Sequence, residues 1–205
     1  MIFRSAVKKF KILPFILFLV YFWQQNLGIM NIKIKCDAFK EGEKIPVKYT
    51  CEGINVSPKI GWKCSNPRVR SFVLFMEDLN TPNGKSIHWI LFNIPAHIKE
   101  LHEEITTVRN VPDEVIFGTN DFGKIGYTGP CPNKGIHKYS FKIFGLDKGL
   151  PFEAGATKFE LLNAMKGHIL AKGRLTGKYG RKINAALPLE SLKKNNTHTI
   201  EIKSK

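Results

Sequence analysis

The chain has 205 residues, 43% of them apolar and 24% charged, which are ordinary globular values and exclude a disordered or collagen-like protein. Its formal net charge of +15 is unusual, but only six of the 32 cationic residues are arginine. Because nucleic-acid recognition favours arginine, and no zinc-finger, helix-turn-helix or RNA-binding aromatic motif is present, we expect a solvated lysine surface and no nucleic-acid partner.

Residues 1–29 differ in composition from the rest of the chain. They hold no acidic residue and four cationic ones: Arg4, Lys8, Lys9 and Lys11. The apolar stretch Ile12–Trp23 that follows resembles a signal peptide, but it is shorter than the ~20 residues that cross a bilayer. Three interpretations stay open: an uncleaved membrane anchor, an inefficient export signal, or sequence upstream of a true start at Met30. The first two predict a membrane-associated or exported protein, and the third a cytoplasmic one.

Residues 30–205 form the second predicted unit, a single domain whose apolar pattern is mostly typical of β-strands. We expect strands at Ile32–Cys36, Phe72–Met76, Trp89–Phe92, Tyr139–Leu146, Ile169–Leu175 and Thr199–Ile202. The second and third of these are continuous apolar runs, which predict strands covered on both faces.

One segment has a helical pattern instead. Thr157 and Glu160 have capping-box spacing, and Phe159, Leu162 and Met165 follow at helical intervals before a glycine ends the pattern. The predicted fold is therefore mostly β, an antiparallel β sandwich with a late α-helix.

Four cysteines leave the redox compartment open. They lack the paired short spacing of a zinc ribbon or thioredoxin motif, and they are Cys36, Cys51, Cys64 and Cys131. They can form up to two disulfides in an oxidising compartment or remain small buried hydrophobic residues in a reducing one. We expect the second state.

Candidate functional side chains flank the stretch Leu79–Ser86, which is rich in turn-forming residues. Asp78 comes at the end of one predicted strand and His88 at the start of the next. If the two strands lie side by side, both side chains open onto the same rim of the sheet, which is a common place for a site.

A second candidate element is the glycine-rich stretch Gly118–Gly135, which is long for a loop without regular structure. Its glycines permit positive φ angles, which let backbone N–H groups converge on an anion. It is not a phosphate-binding P-loop, because the lysine–hydroxyl ending and the following helix are missing. His137 and Tyr139 follow it at the entrance of another strand.

Five stretches match a known set of motifs in the same order. They are Tyr49–Trp62, Asp78–Pro82, His88–Ala96, Asn120–Tyr139 and Leu162–Tyr179. They resemble the Y-T-C-D-G-x-x-x-S-P, D-P-D-A-P, H-W-x-x-x-N-I-P-A, and N-D-F-G with G-P-x-P-x-G-x-H-x-Y signatures of the phosphatidylethanolamine-binding proteins, in their bacterial Raf-kinase-inhibitor-like branch. The resemblance covers about Ile32 to Ile202, and its beginning just after Met30 favours the start at that residue.

The resemblance implies a β sandwich of phosphatidylethanolamine-binding protein type with a small anion pocket at one end. Its ligand-binding residues would be Asp78, His88, His137 and Tyr139, with Pro82, Gly129 and Pro130 shaping the wall. Histidines and backbone amides would donate to phosphate oxygens, and the carboxylate would accept from the ammonium of a phosphoethanolamine headgroup. Leu79 and Asn80 depart from the motif's first proline and second aspartate. The missing carboxylate puts the ammonium part of recognition in doubt.

We therefore expect a non-enzymatic protein without a cofactor that binds a phosphorylated small ligand or a phospholipid headgroup. By the resemblance it also inhibits a protein target, a kinase or a protease. One alternative is a metal-dependent enzyme that uses Asp78, His88 and His137, since two histidines and a carboxylate are a known metal-ligand set. Another is a cysteine hydrolase that pairs Cys131 with His137.

Overall fold

Two open sheets contain the strands of the described residues, which are 28–82, 84–106 and 111–181 of a computed structural model. The large sheet has the order β1-β9-β8-β4-β5-β7, and the small sheet has the order β2-β3-β6. The strands are β1 (Met30–Asn31), β2 (Lys33–Cys36), β3 (Ile60–Lys63), β4 (Ser71–Thr81), β5 (Gly84–Pro95), β6 (Glu100–Leu101), β7 (Ile116–Phe117), β8 (His137–Leu146) and β9 (Ile169–Tyr179). Strand pairings within the sheets are antiparallel, except for the parallel pair β1–β9. The expected mostly-β sandwich is confirmed.

Strand β4 lies in the middle of the large sheet and is covered on both faces, as its apolar run predicts. Phe72 and Leu74 belong to the core between the two sheets, where Phe72 packs edge-on against Trp62 of the small sheet with ring centroids 5.4 Å apart. Val73 and Phe75 alternate with them and belong to a second apolar cluster on the opposite face. Strand alternation thus divides one continuous apolar run between two cores.

The second cluster is covered by the helix α1 (Lys158–Ala164), which begins at the expected capping box. Thr157 Oγ1 accepts a hydrogen bond from the backbone N–H of Glu160, and the backbone N–H of Thr157 donates to the Glu160 carboxylate at 2.8 Å. Gly167 follows the helix with a φ of +78°, a left-handed conformation that glycine adopts without strain.

The predicted apolar face of α1 is wrong in part. Leu161 and Met165 are buried against the sheet, but Phe159 is 74% exposed and Leu162 is also exposed. The helix has only seven residues, so it buries one narrow stripe, and the i, i+4 pair Leu161–Met165 forms that stripe.

Two sequence predictions lie outside the described residues: the signal-like segment within 1–27 and the strand Thr199–Ile202. Within the described residues, no helix combines the length and apolar character needed to cross a membrane.

The cysteines divide into two kinds. Cys51 and Cys131 form a disulfide with a Cα–Cα distance of 5.4 Å, and Cys36 and Cys64 are free. The expectation of four buried thiols is therefore wrong for Cys51 and Cys131, which are both exposed. The two half-cystines are 80 positions apart, and the backbone N–H of Cys51 also donates to the Pro130 carbonyl at 3.1 Å. Cysteine spacing in the sequence does not reveal such a tertiary contact.

Reduction of this disulfide is expected to destabilise the protein, because the unfolded chain then regains the freedom lost in a closed loop of 80 residues. The chain-entropy model sets the loss at up to about 4.5 kcal/mol. Urea unfolding with and without a dithiol reductant measures it. Cys64→Ser, which leaves the disulfide in place, should show the same reductant-dependent loss, whereas Cys51→Ser/Cys131→Ser should show none. Equal midpoints for the oxidised and reduced wild type would contradict the assignment.

A buried carboxylate lies beneath the start of α1. The Glu77 side chain is only 3% exposed, with Oε1 2.7 Å from Lys158 Nζ and Oε2 hydrogen-bonded by Lys142 Nζ. Burial acts to raise the pKa of Glu77, but the hydrogen bonds and charges of the two lysines outweigh it, so the pKa lies below its ordinary value. The ion triad thus links β4, β8 and the helix.

Glu77→Gln is expected to lower the free energy of unfolding at pH 7 by about 2–3 kcal/mol, because it leaves two partly buried ammonium groups without their counter-ion. A lowered folded-state pKa contributes stability above the unfolded pKa of about 4.3, and this contribution disappears as the pH falls through the folded value. The gap between wild type and variant in urea unfolding should therefore narrow as the pH falls below about 4.3. Glu100→Gln, which breaks an exposed pair with Lys59, should cost under about 1 kcal/mol.

Candidate functional site

The β4–β5 hairpin brings Asp78 and His88 into one sheet. The predicted proximity of their strands is confirmed by antiparallel pairing, with Asp78 opposite Ser86. The stretch Leu79–Ser86 is not a loop as expected, because β4 and β5 run through most of it and only its tip turns. Asp78 and His88 therefore lie inside the strands rather than at their ends.

A β-bulge sets the direction of His88. Met76 pairs with Trp89 but Glu77 pairs with Ile87, so His88 is an extra residue on β5. Ile87 belongs to the cluster beneath α1 and Trp89 to the core between the sheets. The bulge therefore places His88 on the same face as Trp89, toward the core between the sheets, where its ring contacts Tyr139.

Strand β8 adds two further side chains to this face. Tyr139 lies directly opposite Asp78 in the β4–β8 register, and His137 lies two residues earlier on the same face. His137 Nδ1–H donates to Asp78 Oδ2 at 2.7 Å, and the backbone N–H of Asn80 donates to Asp78 Oδ1 at 2.8 Å. Asp78 is buried, whereas the His137 side chain is 15% exposed and forms the outer edge of the site.

The hydroxyl of Tyr139 is the unsatisfied group of the site. Tyr139 is fully buried, and none of the described residues completes a hydrogen bond of normal geometry with its oxygen. The His88 ring stands perpendicular to the tyrosine ring at 5.3 Å between centroids. Burial and the nearby Asp78 carboxylate raise the pKa of Tyr139 far above its ordinary value. The residue therefore keeps a neutral O–H that lies beside the Asp78 carboxylate without a hydrogen bond of normal geometry, and a buried O–H in that state is costly.

His88 is held by the glycine-rich loop. Its Nδ1 lies 2.7 Å from the Thr128 carbonyl, and the Thr128 N–H donates to the His88 carbonyl at 3.0 Å. Burial lowers the pKa of His88, and the Thr128 carbonyl and the Asp78 carboxylate only partly oppose this effect. Because a carbonyl can only accept, Nδ1 carries the proton and Nε2 of the neutral ring is an acceptor.

The loop itself is organised by one buried amide, that of Asn120. Its Nδ2 has two protons and lies within hydrogen-bond distance of three acceptors: the carbonyls of His88 and Gly126 and Thr128 Oγ1. Its Oδ1 accepts from the backbone N–H groups of Phe122 and Lys124. These bonds fold the loop back over the β5 strand. Phe122 reaches the other side of the His88 ring, with centroids 4.9 Å apart.

Three glycine N–H groups of this loop are bonded within the protein. Gly118 N–H donates to the Ile90 carbonyl, Gly123 N–H to the Asn120 carbonyl, and Gly129 N–H to Asn55 Oδ1 at 2.8 Å. These three donors hold the loop in place. That other backbone N–H groups of the loop converge on an anion stays a prediction.

Gly129 and Pro130 are buried in the loop segment that holds His88, next to the segment containing Tyr49. A Cβ at Gly129 would lie 2.4 Å from both Asn55 Oδ1 and the Tyr49 carbonyl, so only glycine fits there. Pro82 lies exposed at the tip of the β4–β5 hairpin. The role of these three residues as the wall of a pocket stays a prediction.

The two catalytic alternatives meet specific obstacles. Within residues 28–82, 84–106 and 111–181, no group of three or more His, Cys, Asp or Glu side chains is arranged to hold a metal, Asp78, His88 and His137 included. In the disulfide-bonded protein Cys131 has no thiol to act as a nucleophile beside His137, so the cysteine hydrolase interpretation is wrong for that form.

Comparison with known proteins identifies the family. A family model described as phosphatidylethanolamine-binding protein matches residues 35–180. A UPF0098 protein of Methanothermobacter thermautotrophicus is 39% identical over 150 residues, which cover 73% of this chain and 99% of the relative. A UPF0098 protein of Pyrococcus abyssi is 45% identical over 148 residues, which cover 70% of this chain and 83% of the relative.

Solved structures agree with the family match. A phosphatidylethanolamine-binding protein homologue of Chlamydia trachomatis has a TM-score of 0.68 and 35% identity, covering 74% of this chain and 98% of its own. Escherichia coli YbcL, described as a new member of the mammalian family, has a TM-score of 0.69 and 26% identity, covering 74% and 99%. The chain therefore belongs to the phosphatidylethanolamine-binding protein family, which implies ligand binding. Its relatives include archaeal proteins, so the restriction to a bacterial branch is not confirmed.

Sequence reasoning missed the residues that hold the site together. Asn120 was part of a recognised motif without an assigned role, and Thr128 and Asn55 were not singled out. A buried asparagine within a glycine-rich stretch is a usable signal, because asparagine side chains commonly bond to nearby backbone groups in turns. The partners of Thr128 and Asn55 are distant in sequence and carry no such signal.

His88 is expected to be the neutral Nδ1–H tautomer at pH 7 and to take up its second proton below the ordinary histidine pKa of about 6.5. The physical causes are its burial and the bond to the Thr128 carbonyl. Long-range ¹H–¹⁵N correlation spectra across a pH titration measure both properties, with the exposed His97 as an internal reference. An Nε2–H tautomer, or protonation above pH 6.5, would contradict the geometry.

Proposed function

We propose that the protein binds a phosphorylated small ligand or a phospholipid headgroup through Asp78, His88, His137 and Tyr139, and that it acts as a binding protein rather than an enzyme. The observation that carries the proposal is the buried Tyr139 hydroxyl without a hydrogen-bond partner among the described residues. A phosphate oxygen is a strong acceptor that would satisfy it. Family membership supports ligand binding in general.

The other side chains of the site fit the same ligand. The edge of the site is formed by His137, whose Nδ1 is bonded to Asp78, so that Nε2 is the ring nitrogen left for a ligand. His88 approaches Tyr139 from the β5 side. Strands β4, β5 and β8 thus supply side chains around the Tyr139 hydroxyl, and the glycine-rich loop covers the site on the β5 side.

The ammonium part of the expected ligand receives less support from the geometry. The Asp78 oxygens accept hydrogen bonds from His137 and from the Asn80 backbone, so an ammonium would share this carboxylate with two protein donors. The carboxylate that the family motif has at position 80 is replaced by an amide, and Asn80 Oδ1 accepts from the Lys138 N–H at 2.8 Å. We therefore place the phosphate, not the ammonium, at the centre of recognition. Inhibition of a kinase or protease stays a prediction of the resemblance.

Tyr139→Phe provides a sharp test, because it removes only the unsatisfied O–H and keeps the packed ring. Affinity for phosphate or phosphoethanolamine, measured by calorimetry, is expected to fall by about 1–2 kcal/mol, while the free energy of unfolding stays unchanged or rises. His88→Ala is expected to weaken binding by about 1.5–3 kcal/mol if its bond to the ligand is charge-assisted.

The matched control is His168→Ala. His168 forms a similar histidine–aspartate pair with Asp147 at 2.8 Å, but it is exposed and lies outside the site, between α1 and β9. Its replacement should leave affinity unchanged. If Tyr139→Phe and His88→Ala bind as tightly as His168→Ala, the assignment of the pocket fails.

A further inference from the structure

The donor and acceptor groups of the site specify which phosphate group it prefers. We propose that the site, given the binding function above, selects a phosphate or phosphate monoester that carries a P–OH proton over a phosphodiester or a sulfate. The inference follows from Tyr139, His88 and Asp78, which offer one fixed donor and two acceptors. It separates the two ligand sources that family membership leaves open, a small phosphorylated molecule and a lipid headgroup.

The first acceptor is Nε2 of His88. The Thr128 carbonyl fixes the proton on Nδ1, so the neutral ring offers a lone pair at Nε2. Titratable groups face this ring from β4, from the loop and from β8: Asp78, Asp121, His137 and Tyr139. The carboxylates favour protonation of the ring, but its burial dominates and keeps it neutral near pH 7. A neutral ring bonds to an anion only if the anion supplies the proton or the ring takes one from solvent.

The second acceptor is the carboxylate of Asp78. It is buried, and the two hydrogen bonds from His137 and Asn80 leave each oxygen with further lone-pair capacity but no proton to offer. An anion without a proton meets repulsion there, because two negatively charged oxygens cannot bond to each other. An anion with a P–OH forms a short, charge-assisted O–H···O bond to the same carboxylate.

The Tyr139 O–H is the donor that needs no proton uptake. Its raised pKa keeps the hydroxyl protonated throughout the physiological range. The site thus offers one donor, the Tyr139 O–H, and two acceptors, His88 Nε2 and the Asp78 carboxylate. This set matches a partly protonated phosphate.

Ligand chemistry then decides the preference. A phosphate monoester has a second pKa of about 6 and carries a proton in a large fraction of molecules near that pH. A phosphodiester or sulfate has no proton to give at that pH, so its binding forces a buried group to take one up. Monoesters should therefore bind more tightly, and diester binding should consume a proton.

The test uses two matched pairs of probes at about pH 6. Phosphoethanolamine and glycerophosphoethanolamine carry the same ammonium but differ as monoester and diester, and inorganic phosphate and sulfate form the second pair. Calorimetry of the full chain in two buffers of different ionisation enthalpy gives both the affinity and the number of protons taken up. We expect the monoester and phosphate to bind at least about tenfold more tightly. The diester and sulfate should take up more protons for each molecule bound than the monoester and phosphate do.

Variants assign the effect to the named groups. Asp78→Asn removes the repulsive charge, so it should narrow the affinity gap between phosphate and sulfate by about tenfold. His168→Ala should leave the gap unchanged. The wild-type proton count is independent of these variants, so the proposal stays testable even if Asp78→Asn fails to fold.

The outcomes separate the two proposals. Absence of binding by all four probes would overturn the proposed function. Binding of both members of each pair with equal affinity and equal proton uptake would overturn this inference and leave the proposed function intact. Tighter binding of the diester would overturn it in favour of a lipid headgroup.

Discussion

The bond between the buried Asp78 carboxylate and the His137 ring is the interaction on which the candidate site depends. A carboxylate inside a central strand is costly unless its oxygens are hydrogen-bonded, and here β8 supplies the ring while the Asn80 backbone supplies a second donor. Because β8 begins with His137 beside Asp78, the register of β4 and β8 places Tyr139 directly opposite Asp78. The Asp78 carboxylate is therefore hydrogen-bonded, whereas the Tyr139 hydroxyl has no hydrogen bond of normal geometry among the described residues.

The glycine-rich loop supports this site through hydrogen bonds and close contacts with other parts of the protein. Thr128 holds His88, Asn120 folds the loop, and Gly129 approaches the Tyr49 segment closely enough that no side chain fits. The Cys51–Cys131 disulfide fastens the same segment covalently. The loop therefore acts as a scaffold that holds His88 in one tautomer, and the candidate site side chains lie on the strands beneath it.

Much of the fold was predictable because its signals are local. Apolar runs predicted β4 and β5, alternation predicted β8 and β9, and the Thr157 capping box predicted the start of α1. The short strands β6 and β7 and the exposed position of Phe159 were not predictable, because pairing and burial depend on what packs against them. The bulge at His88 was not predictable either, because it arises from the register shift between β4 and β5. The sequence of neither strand alone shows that shift.

The sequence alone determined the chain's mostly-β character, its late helix and, through ordered motifs, the family and the four residues Asp78, His88, His137 and Tyr139. These depend on residue types and their order along the chain. Tertiary structure decided the Cys51–Cys131 pairing, the direction of His88 and the unpartnered state of the Tyr139 hydroxyl. Each depends on distances between residues far apart in the chain, because hydrogen bonds and desolvation are set by neighbours in space.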